Sequence, residues 1–133
     1  MILEHFVLDA PSMMALRGSR QLSGLIHNAY LDPAARLWVP LLSLVEAERE
    51  AAGLLAHVGQ IDAFRTVDVD YATAYAAFEL VRGEAGGLAL GQAAAVVAAR
   101  RLEHECPGDA VLIATVSPGP YEGLGAAVMD LDR

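Results

Sequence analysis

Asp9 and Glu46 are the two side chains whose type and setting point to chemistry. Asp9 directly follows the apolar run Phe6-Val7-Leu8. Its carboxylate is therefore expected at the carboxyl end of a buried strand, where parallel sheets form metal and phosphate sites. The same position also suits a turn aspartate that caps the next helix. Glu46 stands in Leu44-Val45-Glu46-Ala47, inside an apolar helix start. A carboxylate among Leu and Val costs free energy unless it is paired or holds a metal. Its other readings are a solvated edge position or an ion pair with Arg49, one turn on.

Other reactive side chains give weaker signals. Arg82, Arg100 and Arg101 could touch phosphate, but Arg100-Arg101 near a helix C-terminus also stabilises the helix end. His5, His27, His57 and His104 show no metal-ligand spacing and read as surface or packing residues. His104 and Cys106 are close in sequence, yet Cys106 falls at a helix end beside Pro107 and nothing supports a catalytic pair. Gly83 to Gly91 is glycine-rich but lacks the Lys-Ser/Thr of a phosphate loop and the GxGxxG order. Trp38 reads as core.

The elements that position these residues alternate between strand and helix. Ile2 to Leu8 reads as the first strand, followed by a turn at Asp9-Ala10-Pro11-Ser12 and a short helix from Met13 to Leu16. Gln21 to Tyr30 has Leu22, Leu25, Ile26 and Ala29 on one helical face. Leu37 to Val39 is a second strand, and Pro40 opens a helix from about Leu41 to Leu55, with a further helical stretch ending at Gly59. Thr66 to Val69 is a third strand, and Asp70 caps a helix over Tyr71 to Arg82. Gly83, Gly86 and Gly87 form a loop before an Ala-rich helix from Leu90 to Glu105. The apolar run Ala110 to Thr115 fits a central parallel strand, Ser117 to Gly125 a Pro/Gly-rich loop, and Ala127 to Leu131 the last strand. Strands separated by helices imply crossover connections and a mostly parallel sheet, hence an α/β fold. The carboxyl-end rule then gathers Asp9, the loop before Glu46, and Thr115 to Ser117 in one neighbourhood.

Bulk properties narrow the setting. The 133 residues fit one domain, with 55% hydrophobic residues for its core. Only 6% are aromatic, so that core is mostly Ala, Leu and Val. The net charge is −8 and all nine basic residues are Arg. Such a chain repels nucleic acid at long range, which counts against a sequence-specific DNA binder and suits a partner with a basic segment. One cysteine excludes an intramolecular disulfide and fits a reducing compartment. No apolar run reaches the roughly 18–20 residues of a membrane span, so the expectation is a cytoplasmic protein with no membrane contact.

Three motifs recur in a telling order: Val7-Leu8-Asp9-Ala10; Val39-Pro40 followed by Leu44-Val45-Glu46-Ala47; and Thr115-Val116-Ser117-Pro118 followed by Tyr121-Glu122-Gly123-Leu124. With the Ala-rich helix between the last two, the chain resembles the PIN domain from Ile2 to Leu131. That family includes the ribonuclease toxins of bacterial toxin–antitoxin pairs. The resemblance implies a three-layer α/β/α sandwich and RNA cleavage with Mg²⁺ or Mn²⁺ held by an acidic cluster. It also implies a homodimer and an antitoxin-like protein partner. Hard divalent cations need oxygen ligands, and they stabilise the attacking and leaving oxygens of phosphodiester cleavage.

Position by position, Asp9 matches the family's first acidic residue and Glu46 the second. The third falls on Gln92 and the fourth on Ser117, neither of which carries charge. Pro11 replaces the usual small hydroxyl residue after the first Asp, with Ser12 one position late. Two carboxylates suffice for one Mg²⁺ with waters, but a pair of cations repel each other without further negative charge. Weak metal binding and weakened or lost nuclease activity follow, with Glu122 as a substitute ligand or plain surface. A non-catalytic α/β interaction module and an active Mg/Mn ribonuclease are the alternatives.

Overall fold

The computed structural model describes residues 1–83 and 87–132. Its strands are β1 (Glu4–Leu8), β2 (Ala35–Pro40), β3 (Phe64–Val67), β4 (Ala110–Thr115) and β5 (Val128–Asp130). Its helices are α1 (Ala10–Met14), α2 (Arg20–Leu31), α3 (Leu41–Glu50), α4 (Leu54–Gly59), α5 (Tyr71–Arg82) and α6 (Leu90–Glu105), with a 3₁₀ turn at Gly119–Tyr121. The five strands form one sheet in the order β3-β2-β1-β4-β5, and every pairing is parallel.

Alternation along the central strands sorts the core into two layers. Phe6 and Leu8 of β1, Leu37 and Val39 of β2, and Ala114 of β4 face one cluster with Met13, Leu22, Leu25, Leu44, Ala47 and Val58 of α1 to α4. Val7, Val111 and Ile113 face the other, packed on Ala77 of α5 and on Ala93, Val96, Ala99 and Leu102 of α6. Helices thus cover both faces, giving the three-layer α/β/α sandwich with a parallel central sheet. The small side chains of α6 bring its backbone close to the sheet, which is why this helix is buried along most of its length.

Several boundaries differ from the expected ones for physical reasons. The helix expected from Leu41 to Leu55 is two helices, because Gly53 takes φ 97° and turns the chain between α3 and α4. The third strand begins two residues early, at Phe64, and stops at Val67; it is an edge strand whose burial is incomplete, so its pattern is weak. The first strand starts at Glu4, two residues later than expected, and the last spans Val128–Asp130, one residue shorter at each end. Gly86 of the expected glycine loop lies outside the described residues. No helix among the described residues is long and apolar enough to cross a membrane.

Candidate functional site

Asp9 sits directly after β1, with the cap of α1 on one side and β4 on the other. It has no solvent exposure. Its Oδ1 accepts the Ser12 amide at 3.0 Å, so Asp9 is the N-cap of α1, and it lies 2.8 Å from the Ser12 hydroxyl. Its Oδ2 accepts the hydroxyls of Thr115 and Tyr121, each at 2.6 Å. Four donors therefore surround the carboxylate. The Ser12 hydroxyl has one hydrogen and a second acceptor in range, the Ala114 carbonyl at 2.9 Å, so that hydrogen is shared. Thr115 in turn accepts the Ser117 amide at 3.0 Å, which ties the start of the Ser117–Gly125 loop to the same set.

Tyr121 is 1% exposed and is carried by the 3₁₀ turn within that loop. Burial pushes its phenol far above the ordinary range, and the charge and hydrogen bond of Asp9 and the charge of Glu46 push it further. It is therefore a donor at every physiological pH, and it senses both carboxylates. The charges of Asp9 and Glu46 both act on the Tyr121 phenol.

Glu46 is half-buried and acts on α6, not on Arg49. Its Oε2 accepts the Gly91 amide at 2.8 Å, in the first turn of a helix whose N-cap, Ala89, has no polar side chain. Ser43, one turn before it, donates to the Gly91 carbonyl at 2.6 Å. The close approach needs a glycine: a Cβ at 91 would lie 3.1 Å from the Glu46 carboxyl and 3.2 Å from the Ser43 Cα. Gln92 spends its Oε1 on the Ala89 amide at 3.0 Å, so its carbonyl satisfies the helix start instead of facing Asp9. Ser117 contributes its backbone amide, while the hydroxyl on Asp9 belongs to Thr115. Glu122 is exposed and is surface.

This arrangement does not fit a resident divalent cation. A hard cation needs free carboxylate oxygens. Those of Asp9 are filled by protein donors and shut off from water. The only set of three potential metal-ligating side chains among the described residues lies at the other end of β1, where His5, Cys106 and Asp109 bring ligand atoms within 4.8 Å of one another. Both ring nitrogens of His5 are already engaged there. The Trp38 indole can only donate, at 3.0 Å to Nδ1, so Nε2 carries the hydrogen given to Asp109 at 2.8 Å. A metal on Nε2 would require an imidazolate or the loss of the Trp38 bond. The bonds from Trp38 to His5 and from His5 to Asp109 form a strap between β2, β1 and the α6–β4 turn, and His5, expected as surface or packing, is 2% exposed within it.

Two of the arginines tie elements together. Arg101 pairs with Asp70 at 3.6 Å and Glu105 at 3.4 Å and donates to Thr73, which joins α6 to the start of α5. Arg100 reaches the Leu124 carbonyl.

Sequence reasoning singled out Asp9 and Glu46 and set Thr115 to Ser117 beside Asp9, but it gave no role to the hydroxyls of Thr115 and Tyr121, which lie 106 and 112 residues away from Asp9. The one available signal was Thr115 itself, a hydroxyl ending an otherwise apolar run. No protein-family model matches the chain, and no curated protein matches it significantly. The likeness to the PIN domain rests on the order of its motifs.

Proposed function

We propose that this chain is a PIN-like domain, related to the metal-dependent endoribonuclease toxins, in which the acidic residues serve the fold and RNA cleavage is lost. What remains is a binding module. Its charge of −8, with no Lys, favours a protein partner with a basic segment, such as an antitoxin-like protein, over RNA. The observation that carries this reading is the Asp9 carboxylate, unexposed and surrounded by four donors. Glu46 and Gln92, each spent on an amide at the start of α6, agree with it.

The test is an RNA cleavage assay at millimolar Mg²⁺ and Mn²⁺. The expected outcome is no cleavage above a blank preparation. Cleavage that disappears in Asp9→Asn would overturn the proposal.

A second reading has one observation behind it. The Tyr121 donor sits on a loop whose only regular structure is a three-residue turn. Withdrawal of that loop would remove one of the two donors on Oδ2 of Asp9, leaving Thr115, and open that oxygen to a metal ion in an active ribonuclease. Tyr121→Phe separates the two: metal-dependent cleavage gained in that variant favours the ribonuclease, and a simple loss of stability favours the binding module.

A further inference from the structure

A cavity of about 420 Å³ opens on the α5–α6 side of the sheet, between the edge strand β3 and α6. Its apolar lining is Trp38 of β2, Val67 of β3, and Ala98 and Leu102 of α6. Small-molecule sites have this size and are mostly apolar, with a few polar groups that select the ligand. Trp38 is a fixed wall of the cavity, because its indole donates to the buried His5 at 3.0 Å. Its ring already attracts a positive charge: the Arg65 guanidinium rests over it at 5.9 Å.

The charged groups decide what the cavity takes. Asp68, Asp70 and Glu105 line it together with one cation, Arg101. Arg101 is spent on Asp70, Glu105 and the Thr73 hydroxyl. Asp68 follows β3, is exposed, and makes no hydrogen bond or ion pair among the described residues. Three carboxylates against one guanidinium leave the cavity negative, and it repels an anion. A neutral apolar molecule gains the lining and nothing from Asp68. A protonated amine or guanidine on an apolar stem gains both, with its head at the carboxylate and its stem along the Trp38 ring.

We propose that this cavity binds a small organic cation, an alkyl amine or alkyl guanidine, with Asp68 as the residue that meets its charge. The inference does not depend on the role of Asp9 and Glu46, which do not line the cavity.

The test is calorimetric titration of agmatine into the full chain at low salt, with the emission of Trp38, the single tryptophan, read alongside. Saturable binding with a dissociation constant of about 0.1 mM is expected, with a change in Trp38 emission. Asp68→Asn is expected to weaken binding about tenfold with an unchanged circular dichroism spectrum. Asp62→Asn removes an exposed carboxylate before β3 and outside the cavity, and it is expected to change the affinity by less than about twofold. 1-Butanol, which has a stem and no charge, is expected not to bind. Absence of saturable binding up to about 10 mM agmatine would overturn the proposal. Equal weakening by Asp68→Asn and Asp62→Asn would do so too, since net charge alone would then account for the effect. So would 1-butanol binding as well as agmatine. An end-blocked Gly-Arg-Gly peptide binding at least about tenfold tighter than agmatine would give the site to a protein side chain and overturn it as well.

Discussion

At the residue scale, a buried carboxylate ringed by donors is costly to remove because the donors are left behind. Asp9→Ala would strand the Ser12 amide and the Thr115 and Tyr121 hydroxyls in a buried space. The expected loss is about 3 kcal/mol or more of unfolding free energy, read from urea denaturation. A metal site behaves oppositely, since unpaired acidic clusters are strained and their removal commonly stabilises a fold. An Asp9→Ala protein as stable as wild type would therefore contradict the structural role. Tyr121→Phe removes one hydroxyl and keeps the ring, and it is expected to cost about 1–2 kcal/mol in the same measurement. The sequence made Asp9 visible through its place after Phe6-Val7-Leu8. The partners that decide its role were hidden, because contacts spanning more than a hundred residues leave no local periodicity.

At the scale of elements, the pairing of α3 with α6 rests on Gly91, Ser43 and Glu46. Gly91→Ala is expected to push the two helices apart and cost about 1–3 kcal/mol, checked by thermal unfolding; a neutral substitution would mean the helices yield freely. Two caps and straps depend on ionised carboxyls. The Asp109 carboxyl is held below its ordinary 3.8 by the hydrogen bond from His5 and then by that from the Leu3 amide. Asp70 is lowered by its bonds from Thr73, more than by the Arg101 charge. Because both folded values lie below the unfolded one, their contributions are complete above 3.8 and fade as pH falls through the folded values. The stability advantage of wild type over Asp109→Asn should therefore narrow below about pH 3.8 and stay level above it. Urea midpoints across that range decide the point.

Elements with a strong local signal were legible. The Asp70 cap with the helix after it, the Ala-rich helix and the apolar strand Ala110–Thr115 lie where their residues place them. The break at Gly53 was not, because a single glycine in an apolar run is compatible with an unbroken helix until its φ is known. The exposed edge strand β3 carried too little alternation to fix its ends.

At the scale of the whole molecule, alternating strands and helices were enough to give a parallel sheet covered on both faces, and the structure has that form. The same pattern is shared by folds of many activities, so the activity has to be argued from the site. On the PIN-like reading proposed above, Asp9 and Glu46 would stand at metal-binding positions, yet they are engaged in capping α1 and in binding the first turn of α6. The most direct test of that claim is calorimetric titration of Mn²⁺ and Mg²⁺ into the purified chain, with Asp9→Asn as control. The account predicts no saturable binding up to millimolar metal in either protein. Micromolar binding by the wild type that is lost in Asp9→Asn would contradict it and return Asp9 and Glu46 to a metal site.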